Sequence, residues 1–124
     1  MNGIPRPVKE EHEEVQGLVL IKGTPVSQGT VKSTARIVIQ LEDAATIKPG
    51  DILITRSTDI GWSPYFPLLA GVVTELGGLI SHGAVVAREY GLPCLVGAKR
   101  ATSLLKSGDT VILDGSKGLL KKVD

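Results

Sequence analysis

Apolar and polar positions follow two different periods along the chain, and short apolar runs dominate. Runs of this kind, bounded by glycine, proline and charged residues, are typical of strands. They are LVLIKG, ILIT, GVVTEL, PCLVG, TVILDG and GLLKKV. The run TVKSTARIVIQ first alternates and then becomes continuously apolar, as in a strand half-buried at one end and fully buried at the other. LVLIKG ends at a Gly-Thr-Pro turn, and the last two runs flank a Gly-Ser-Lys turn and predict a terminal hairpin.

A helical pattern is confined to a few segments. The best is His82–Tyr90, whose apolar body is residues 84–87 and which Gly91 and then Pro93 end. A Ser-Pro pair at 63–64 predicts an N-cap followed by proline at the first helical position. LEDAATI predicts a short helical turn and AKRATSLLK a second helix. Helices and strands together predict a mixed α/β domain.

The start of the chain has a different composition. Residues 1–16 hold two prolines and the charge run KEEHEE, with little apolar content before Val15. That composition is typical of a flexible charged linker or tail, in which His12 is a solvated side chain. The chain of 124 residues is near the usual size of one domain. We therefore predict a linker or tail at 1–16 and one domain at 17–124.

Composition argues against several classes of function. The net charge is +1 and no basic cluster is interleaved with aromatics, so nucleic-acid binding is not expected. No apolar run approaches the about 20 residues of a membrane span, and the N-terminus lacks the apolar core of a secretory signal. The single cysteine, Cys94, excludes an internal disulfide framework and a cysteine-based zinc site, and we predict a packing role for it and no metal site. These features favour a cytoplasmic location.

The candidate chemistry lies where GVVTEL runs into Gly77 and Gly78 and a helix begins near His82. Glycines let the backbone adopt positive φ and approach a ligand closely. With Ser81 as N-cap, the first-turn N–H groups point outward and the helix dipole favours negative charge, an arrangement that binds phosphate. The same field disfavours imidazolium, which keeps His82 neutral and nucleophilic. Gly83 costs about 1 kcal/mol of helix propensity against alanine, a choice that close approach of a bulky group would explain.

Local geometry alone leaves two interpretations of His82 open. It is either a phosphate-carrying nucleophile or a partial helix cap or buried polar residue beside flexible glycines. The surrounding residues match neither a P-loop nor a GxGxxG fingerprint, so no short motif decides between them.

A longer sequence match favours the phosphate-carrying nucleophile. GGLISHGAVVAREYGLPCLVG closely resembles the phosphohistidine, or swivelling, mobile domain of phosphoenolpyruvate-utilising enzymes, a family that includes pyruvate phosphate dikinase, phosphoenolpyruvate synthase and rifampicin phosphotransferase. The resemblance extends over residues 19–123, including KGTPVSQGTVKSTARIV and SGDTVILDGSKGLL. His82 corresponds to the phosphorylated histidine. The matching residues around it are Gly77, Gly78, Ala84, Val85, Val86, Ala87 and Arg88.

Two departures from the family pattern indicate a branch. Dikinases usually carry a hydroxyl residue two places before the histidine, used for regulatory phosphorylation in the plant enzymes, where this chain has Ile80. The family commonly has alanine after the histidine, where this chain has Gly83. With TDIGWSPYF upstream, the pattern is most similar to the rifampicin phosphotransferase and phosphoenolpyruvate synthase-like branch. The histidine domain is C-terminal in rifampicin phosphotransferases, which would fit Asp124 as the natural terminus.

The resemblance implies a compact swivelling β/β/α domain that carries a phosphoryl group. ATP, bound with Mg²⁺ on a separate ATP-grasp domain, would deliver its β-phosphoryl group to His82, with AMP and phosphate as the other products. The domain would then swing to an acceptor-binding domain of the same polypeptide, where acceptor specificity is expected to lie. The resemblance implies that this domain binds no cofactor by itself.

Several neighbours of the histidine have roles that the sequence leaves open. Ser81 either only caps the helix or also contacts the phosphoryl group, with Gly77, Gly78, Gly83 and Ala84 as further phosphate-contacting or supporting residues. The segment TDIGW is expected to abut the histidine loop, with its tryptophan in the core or at an interface.

Three further residues are candidates for supporting roles. Thr74 and Glu75 either orient the imidazole or line the site, or they are simply exposed strand-end residues. Arg88 lies six residues after His82, near the opposite side of the helix, so it is expected to pair with a carboxylate or to dock on the partner domain.

Two rival functions remain beside the carrier. The first is a catalytically silent swivelling or docking module of a larger protein. The second is a hydrolase that uses His82 as a general base, although the sequence offers it no obvious partner nucleophile or carboxylate pair.

Overall fold

A computed structural model describes the backbone of residues 12–15 and 18–123 and the side chains of residues 19–123. The strands are β1 His12–Val15, β2 Leu18–Lys22, β3 Thr24–Ser27, β4 Thr30–Ile37, β5 Ile52–Thr55, β6 Gly71–Thr74, β7 Cys94–Val96, β8 Thr110–Asp114 and β9 Leu119–Val123. The helices are α1 His82–Tyr90, α2 Ala101–Leu104, and two 3₁₀ helices at Leu41–Thr46 and Ile60–Leu68. Across those described residues, no helix is long and apolar enough to cross a membrane.

One sheet runs through the domain, with the strand order β1-β2-β9-β8-β4-β5-β6-β7-β3. β4 belongs to both of its halves. Residues 30–34 of β4 pair antiparallel with β8, and residues 35–37 pair in parallel with β5. β5, β6 and β7 continue the parallel half, so their carboxyl ends meet at one edge. That edge is where ligands usually bind on open α/β sheets.

Hydrophobic residues form two core clusters because successive strand residues face opposite sides of the sheet. In β5, Ile52 and Ile54 belong to the first cluster and Leu53 to the second. The first cluster includes residues of α2, β8 and β9. The second cluster includes Trp62 and Phe66 of the second 3₁₀ helix and the buried face of α1. α1 and the second 3₁₀ helix are therefore packed together on one face of the parallel half.

The predicted α/β class and the terminal hairpin of β8 and β9 are confirmed. α1 has the predicted bounds, and Gly91 ends it with φ 70°. AKRATSLLK forms a shorter helix than predicted, since α2 spans only Ala101–Leu104. Thr24–Ser27, expected in part as a Gly-Thr-Pro turn, instead form β3, paired antiparallel with β7.

The helix start predicted at the Ser-Pro pair 63–64 is wrong. The second 3₁₀ helix begins after Asp59, whose carboxylate accepts a hydrogen bond of 3.0 Å from the N–H of Gly61. The segment contains Pro64 and Pro67, which lack N–H groups and so oppose a regular α-helix.

Part of the predicted linker is a strand. β1 pairs antiparallel with β2, with His12 opposite Ile21 and Val15 opposite Leu18. A charged sequence does not prevent this, because an edge strand gains backbone hydrogen bonds while charged side chains are well tolerated there. The predicted linker or tail at 1–16 therefore contains a strand at residues 12–15, and the domain boundary stays a prediction. Residues 1–11, 16 and 17 and the side chain of His12 lie outside what the structure describes.

Candidate functional site

His82 is the first residue of α1 and its ring is held from several directions. Thr58 Oγ1 lies 2.8 Å from Nδ1, and Ser63 Oγ lies 3.3 Å from Nε2. Phe66 packs edge-to-face against the imidazole, with ring centroids 5.9 Å apart and planes at 87°. Each ring nitrogen therefore faces a hydroxyl, and an aromatic ring fixes the plane between them.

The two hydroxyl contacts differ in strength. The 2.8 Å distance from Thr58 to Nδ1 lies within the range of a well-formed hydrogen bond, whereas the 3.3 Å distance from Ser63 to Nε2 lies just beyond it. A neutral imidazole has one donor and one acceptor nitrogen, and a hydroxyl serves either. The geometry thus anchors Nδ1 firmly and leaves Nε2 with a weaker partner.

Gly83 makes room for the Thr58 contact. A Cβ atom at this position would lie 3.0 Å from Thr58 Oγ1 and 3.6 Å from Thr74 Cγ2. The close approach expected here is therefore made by the protein's own hydroxyl, and no bulky ligand is needed to explain the glycine.

The loop of residues 75–81 before α1, which we call the glycine loop, is shaped by Gly77 and Ser81. Gly77 has φ 102°, a conformation that favours glycine, and a Cβ atom there would lie 3.0 Å from Ser81 Oγ. Ser81 occupies the predicted N-cap position, but its hydroxyl donates a 2.7 Å hydrogen bond to the carbonyl of Gly78. The predicted side-chain cap is therefore wrong, because this hydroxyl closes the loop instead of accepting from the first turn of α1.

Arg88 fastens the same loop to the helix. Its Nη2 donates a 2.8 Å hydrogen bond to the carbonyl of Leu79. Helical side chains lean toward the N-terminus of their helix, which lets this long side chain reach back to the loop. Arg88 therefore bonds a carbonyl rather than the carboxylate that the sequence suggested.

Thr74 and Glu75 end β6 but face different partners. Thr74 is 2% exposed, donates from its hydroxyl to the carbonyl of Leu76, and turns its methyl group toward Gly83. Glu75 Oε2 accepts hydrogen bonds from the backbone N–H of Thr102 at 2.7 Å and from its hydroxyl at 2.6 Å.

Glu75 is therefore directed to the first turn of α2, where N–H groups need an acceptor, and not to the imidazole. The alternative interpretation, exposed strand-end residues, is wrong as well, because Thr74 is buried and Glu75 is half-buried.

Side chains beneath the site are structural. Ala84 is fully buried in the second core cluster, so its side chain supports α1 and does not reach a ligand. The tryptophan of TDIGW, Trp62, is 4% exposed and belongs to the core. Cys94 is buried as predicted, and burial raises the pKa of its thiol to about 12, against the opposing charge of Arg88.

The two hydroxyls at the imidazole were not identified from the sequence. Thr58 follows β5, and Ser63 lies in the second 3₁₀ helix. The signal was the segment TDIGW, which was expected to abut the histidine loop, contains Thr58 and ends one residue before Ser63. Choosing these two hydroxyls requires knowing that β5 and β6 are parallel neighbours, whose carboxyl ends meet at one edge.

Five large apolar side chains are exposed on the second 3₁₀ helix, on α1 and on the loop between β6 and α1; we call them the apolar collar. They are Ile60 at 82% exposure, Leu76 at 55%, Leu79 at 52%, Ile80 at 89% and Val85 at 37%. Single exposed apolar residues are ordinary, but several on the elements that hold one functional candidate are typical of a protein interaction site.

Comparison with known proteins identifies the family of this chain. The sequence model described as "PEP-utilising enzyme, mobile domain" matches residues 47–118, more than half of the chain. The match includes the second 3₁₀ helix and α1, and it contains Thr58, Ser63 and Phe66, which contact the imidazole.

Individual relatives agree with the family match. The chain is 50% identical over 101 residues to a rifampicin phosphotransferase of Bacillus cereus, covering 82% of this chain and 12% of that protein. It is 40% identical over 112 residues to a phosphoenolpyruvate synthase of Aeropyrum pernix, covering 90% of this chain and 14% of that protein. Among solved structures, an Enzyme I solution structure matches with a TM-score of 0.54 and 31% identity, over 66% of this chain and 33% of that one.

The chain therefore spans a small fraction of the length of these curated relatives. The resemblance to the rifampicin phosphotransferase and phosphoenolpyruvate synthase branch is confirmed by the relatives that match. With residues 47–118 matched, this chain belongs to the mobile-domain family of PEP-utilising enzymes.

Proposed function

We propose that this chain is a phosphoryl carrier in which Nε2 of His82 takes the β-phosphoryl group of ATP and passes it to an acceptor. The observation that carries the proposal is the placement of His82, with Nδ1 anchored by Thr58 at 2.8 Å and Nε2 only weakly engaged by Ser63 at 3.3 Å. A nucleophile needs one nitrogen oriented and the other available, and this geometry meets both needs.

The first transfer is a displacement at the β-phosphorus of ATP. With Nδ1–H donated to Thr58, the lone pair of Nε2 forms a bond to the β-phosphorus of ATP. The bond from that phosphorus to the oxygen bridging the α-phosphorus breaks, and AMP keeps the electron pair. Water then removes the γ-phosphoryl group as phosphate, and the remaining phosphoryl group moves from Nε2 to an oxygen of the acceptor in the second transfer. The proton stays on Nδ1 throughout, and Thr58 Oγ1 accepts its hydrogen bond.

The N-terminus of α1 favours the phosphorylated state. Negative charge near the positive end of a helix is stabilised by about 0.3–1 kcal/mol, and His82 is the first residue of this nine-residue helix. The helix N-terminus thus stabilises the product of the first transfer.

The partners proposed for this domain lie elsewhere in the same polypeptide. The relatives are about seven to eight times longer than the stretch matched here, which leaves room for an ATP-grasp domain that binds ATP with Mg²⁺ and for an acceptor-binding domain. The apolar collar offers a face for transient docking on each in turn, since both must reach Nε2. A cytoplasmic location, where ATP is available, is proposed with this function.

Two other functions have weaker support. A silent docking module does not need both nitrogens of a histidine engaged by hydroxyls. A hydrolase with His82 as general base has weaker support, because the ring contacts the hydroxyls of Thr58 and Ser63 rather than a carboxylate.

A labelling experiment tests the proposal. The donor is the Bacillus cereus relative from which the matching mobile domain has been deleted, supplied with Mg²⁺ and [β-³²P]ATP. We expect acid-labile, base-stable label on the wild-type chain and none on His82→Ala, whose folding is checked by thermal unfolding. A wild-type chain that stays unlabelled but binds the donor would indicate the silent module. Phosphate-ester hydrolysis by the chain alone would indicate the hydrolase.

A further inference from the structure

Ser63 is placed to contact the atom that reacts. Its Oγ lies 3.3 Å from Nε2 of His82, the nitrogen to which the proposed function assigns the phosphoryl group. A hydroxyl this close to Nε2 lies next to any group bonded to that nitrogen. Ser63 must therefore either move away during transfer or take part in it.

The backbone around Ser63 is fixed, but its hydroxyl is not. Trp62 and Phe66 anchor the second 3₁₀ helix in the core, with 4% and 0% exposure. Pro64 follows directly and restricts the backbone further. A serine side chain has three staggered rotamers, so its hydroxyl can redirect without movement of the helix.

The contact to Nε2 is weak enough to exchange. A hydrogen bond to a charged group is roughly twice as strong as one between neutral groups, and at 3.3 Å this neutral one is longer than usual. A phosphoryl oxygen carries negative charge and is a much stronger acceptor than the imidazole lone pair. The exchange of partners is therefore favourable in the phosphorylated state.

We propose that Ser63 is a catalytic residue that switches its hydroxyl from the Nε2 lone pair of free His82 to a non-bridging phosphoryl oxygen of phosphorylated His82. The hydroxyl keeps its proton in both states and only changes acceptor. Before transfer it donates to the Nε2 lone pair and orients the ring, and after transfer it stabilises the phosphohistidine. This role rests on the proposed function for its biological meaning.

The test uses nuclear magnetic resonance on wild type, Ser63→Ala, Ser63→Thr and a matched control, Ser103→Ala. Ser103 is an exposed serine on α2, whose residues belong to the opposite core cluster. His82 is phosphorylated in two ways, by the donor protein with Mg-ATP and by phosphoramidate alone. The ³¹P shift of phospho-His82, the ¹⁵N shifts of both ring nitrogens and the phosphorylated fraction at equilibrium with the donor are measured.

We expect Ser63→Ala to move the ³¹P resonance and the ¹⁵N resonance of Nε2 while leaving Nδ1 in place. The equilibrium constant for phosphorylation should fall on the order of fivefold, as for loss of one charge-assisted bond offset by one neutral bond. Ser63→Thr, which keeps a hydroxyl, should restore both values, and Ser103→Ala should resemble wild type.

Unchanged ³¹P and Nε2 resonances in Ser63→Ala would overturn the role of Ser63. Phosphorylation by phosphoramidate separates this failure from failure of the proposed function. If the donor does not label wild type but phosphoramidate does, with a Ser63-dependent ³¹P shift, the carrier function is wrong and the contact stands. If neither reagent phosphorylates His82, both are wrong.

Discussion

The substitution Gly83→Ala tests whether Gly83 exists to admit Thr58 to the imidazole. The added Cβ atom would lie 3.0 Å from Thr58 Oγ1, closer than ordinary van der Waals contact, so the hydroxyl must retreat by a few tenths of an ångström. The same hydroxyl makes the 2.8 Å bond to Nδ1 of His82. Because Thr74 Cγ2 lies at 3.6 Å, the strain falls on Thr58 alone.

The substitution has two opposing effects on stability. Alanine in place of glycine in a helix gains up to about 1 kcal/mol. Loss of the Thr58–His82 hydrogen bond costs about 0.5–1.5 kcal/mol. The free energy of unfolding should therefore change by less than about 1 kcal/mol, and the melting temperature by no more than about 5 °C.

Function should respond more strongly than stability. If orientation of the imidazole is worth about 1 kcal/mol in the transition state, the rate of labelling falls about fivefold. The assays are thermal unfolding, the rate of ³²P transfer from the donor protein, and the ¹⁵N shift of His82 Nδ1, which should move toward the value of Thr58→Ala.

A double-mutant cycle supplies the control. If Gly83→Ala acts through Thr58, it should have no further effect on the labelling rate in a Thr58→Ala background. An equal loss of rate in both backgrounds, or an unchanged Nδ1 resonance in Gly83→Ala, would refute the explanation given for this glycine.

Three further predictions concern docking, the contact of Glu75 with α2 and the buried thiol. Ile80→Ser changes an 89% exposed residue, so stability should stay within about 0.5 kcal/mol. The concentration of chain needed for half-maximal labelling should nevertheless rise several-fold, whereas Ile39→Ser, 46% exposed outside the apolar collar, should leave it unchanged. An equal effect of the two substitutions would contradict docking through the collar. Glu75→Gln weakens the two hydrogen bonds to Thr102 and should lower the free energy of unfolding by about 1–2 kcal/mol without altering the labelling rate. A large loss of labelling rate with an unchanged melting temperature would instead indicate that Glu75 acts on the imidazole. Burial raises the pKa of Cys94 from 9.0 to about 12, so above pH 9 the unfolded state binds fewer protons than the folded state, and stability should fall between about pH 9 and pH 12. Cys94→Ala should reduce that fall in urea titrations, and an unchanged pH profile would contradict the assignment.

Features set by neighbouring residues were predictable from the sequence. α1 was predicted to the residue because its start and its end are both marked locally, the end by Gly91 at φ 70°. The position of Ser81 as N-cap followed from the same local signals. Its hydroxyl was misassigned because the choice of Gly78 as acceptor depends on the fold of the glycine loop.

Features that depend on distant pairing were not predictable. β3 was missed because Thr24–Ser27 begin with a Gly-Thr-Pro turn signal, while their partner strand β7 lies about 70 residues later. Thr58 and Ser63 lie 24 and 19 residues before His82, and only the sheet order brings them to its ring. The role of Glu75 stayed open in the sequence, because proximity in sequence does not reveal that α2 offers its carboxylate two donors.

Transfer of label to His82 is the most direct test of the central claim. The donor lacking its own mobile domain is incubated with this chain, Mg²⁺ and [β-³²P]ATP, and the donor is shown to be competent by restoring the deleted domain in trans. The account predicts close to one acid-labile, base-stable phosphoryl group per wild-type chain and none on His82→Ala. A wild-type chain that stays unlabelled beside a competent donor, or label retained by His82→Ala, would contradict it.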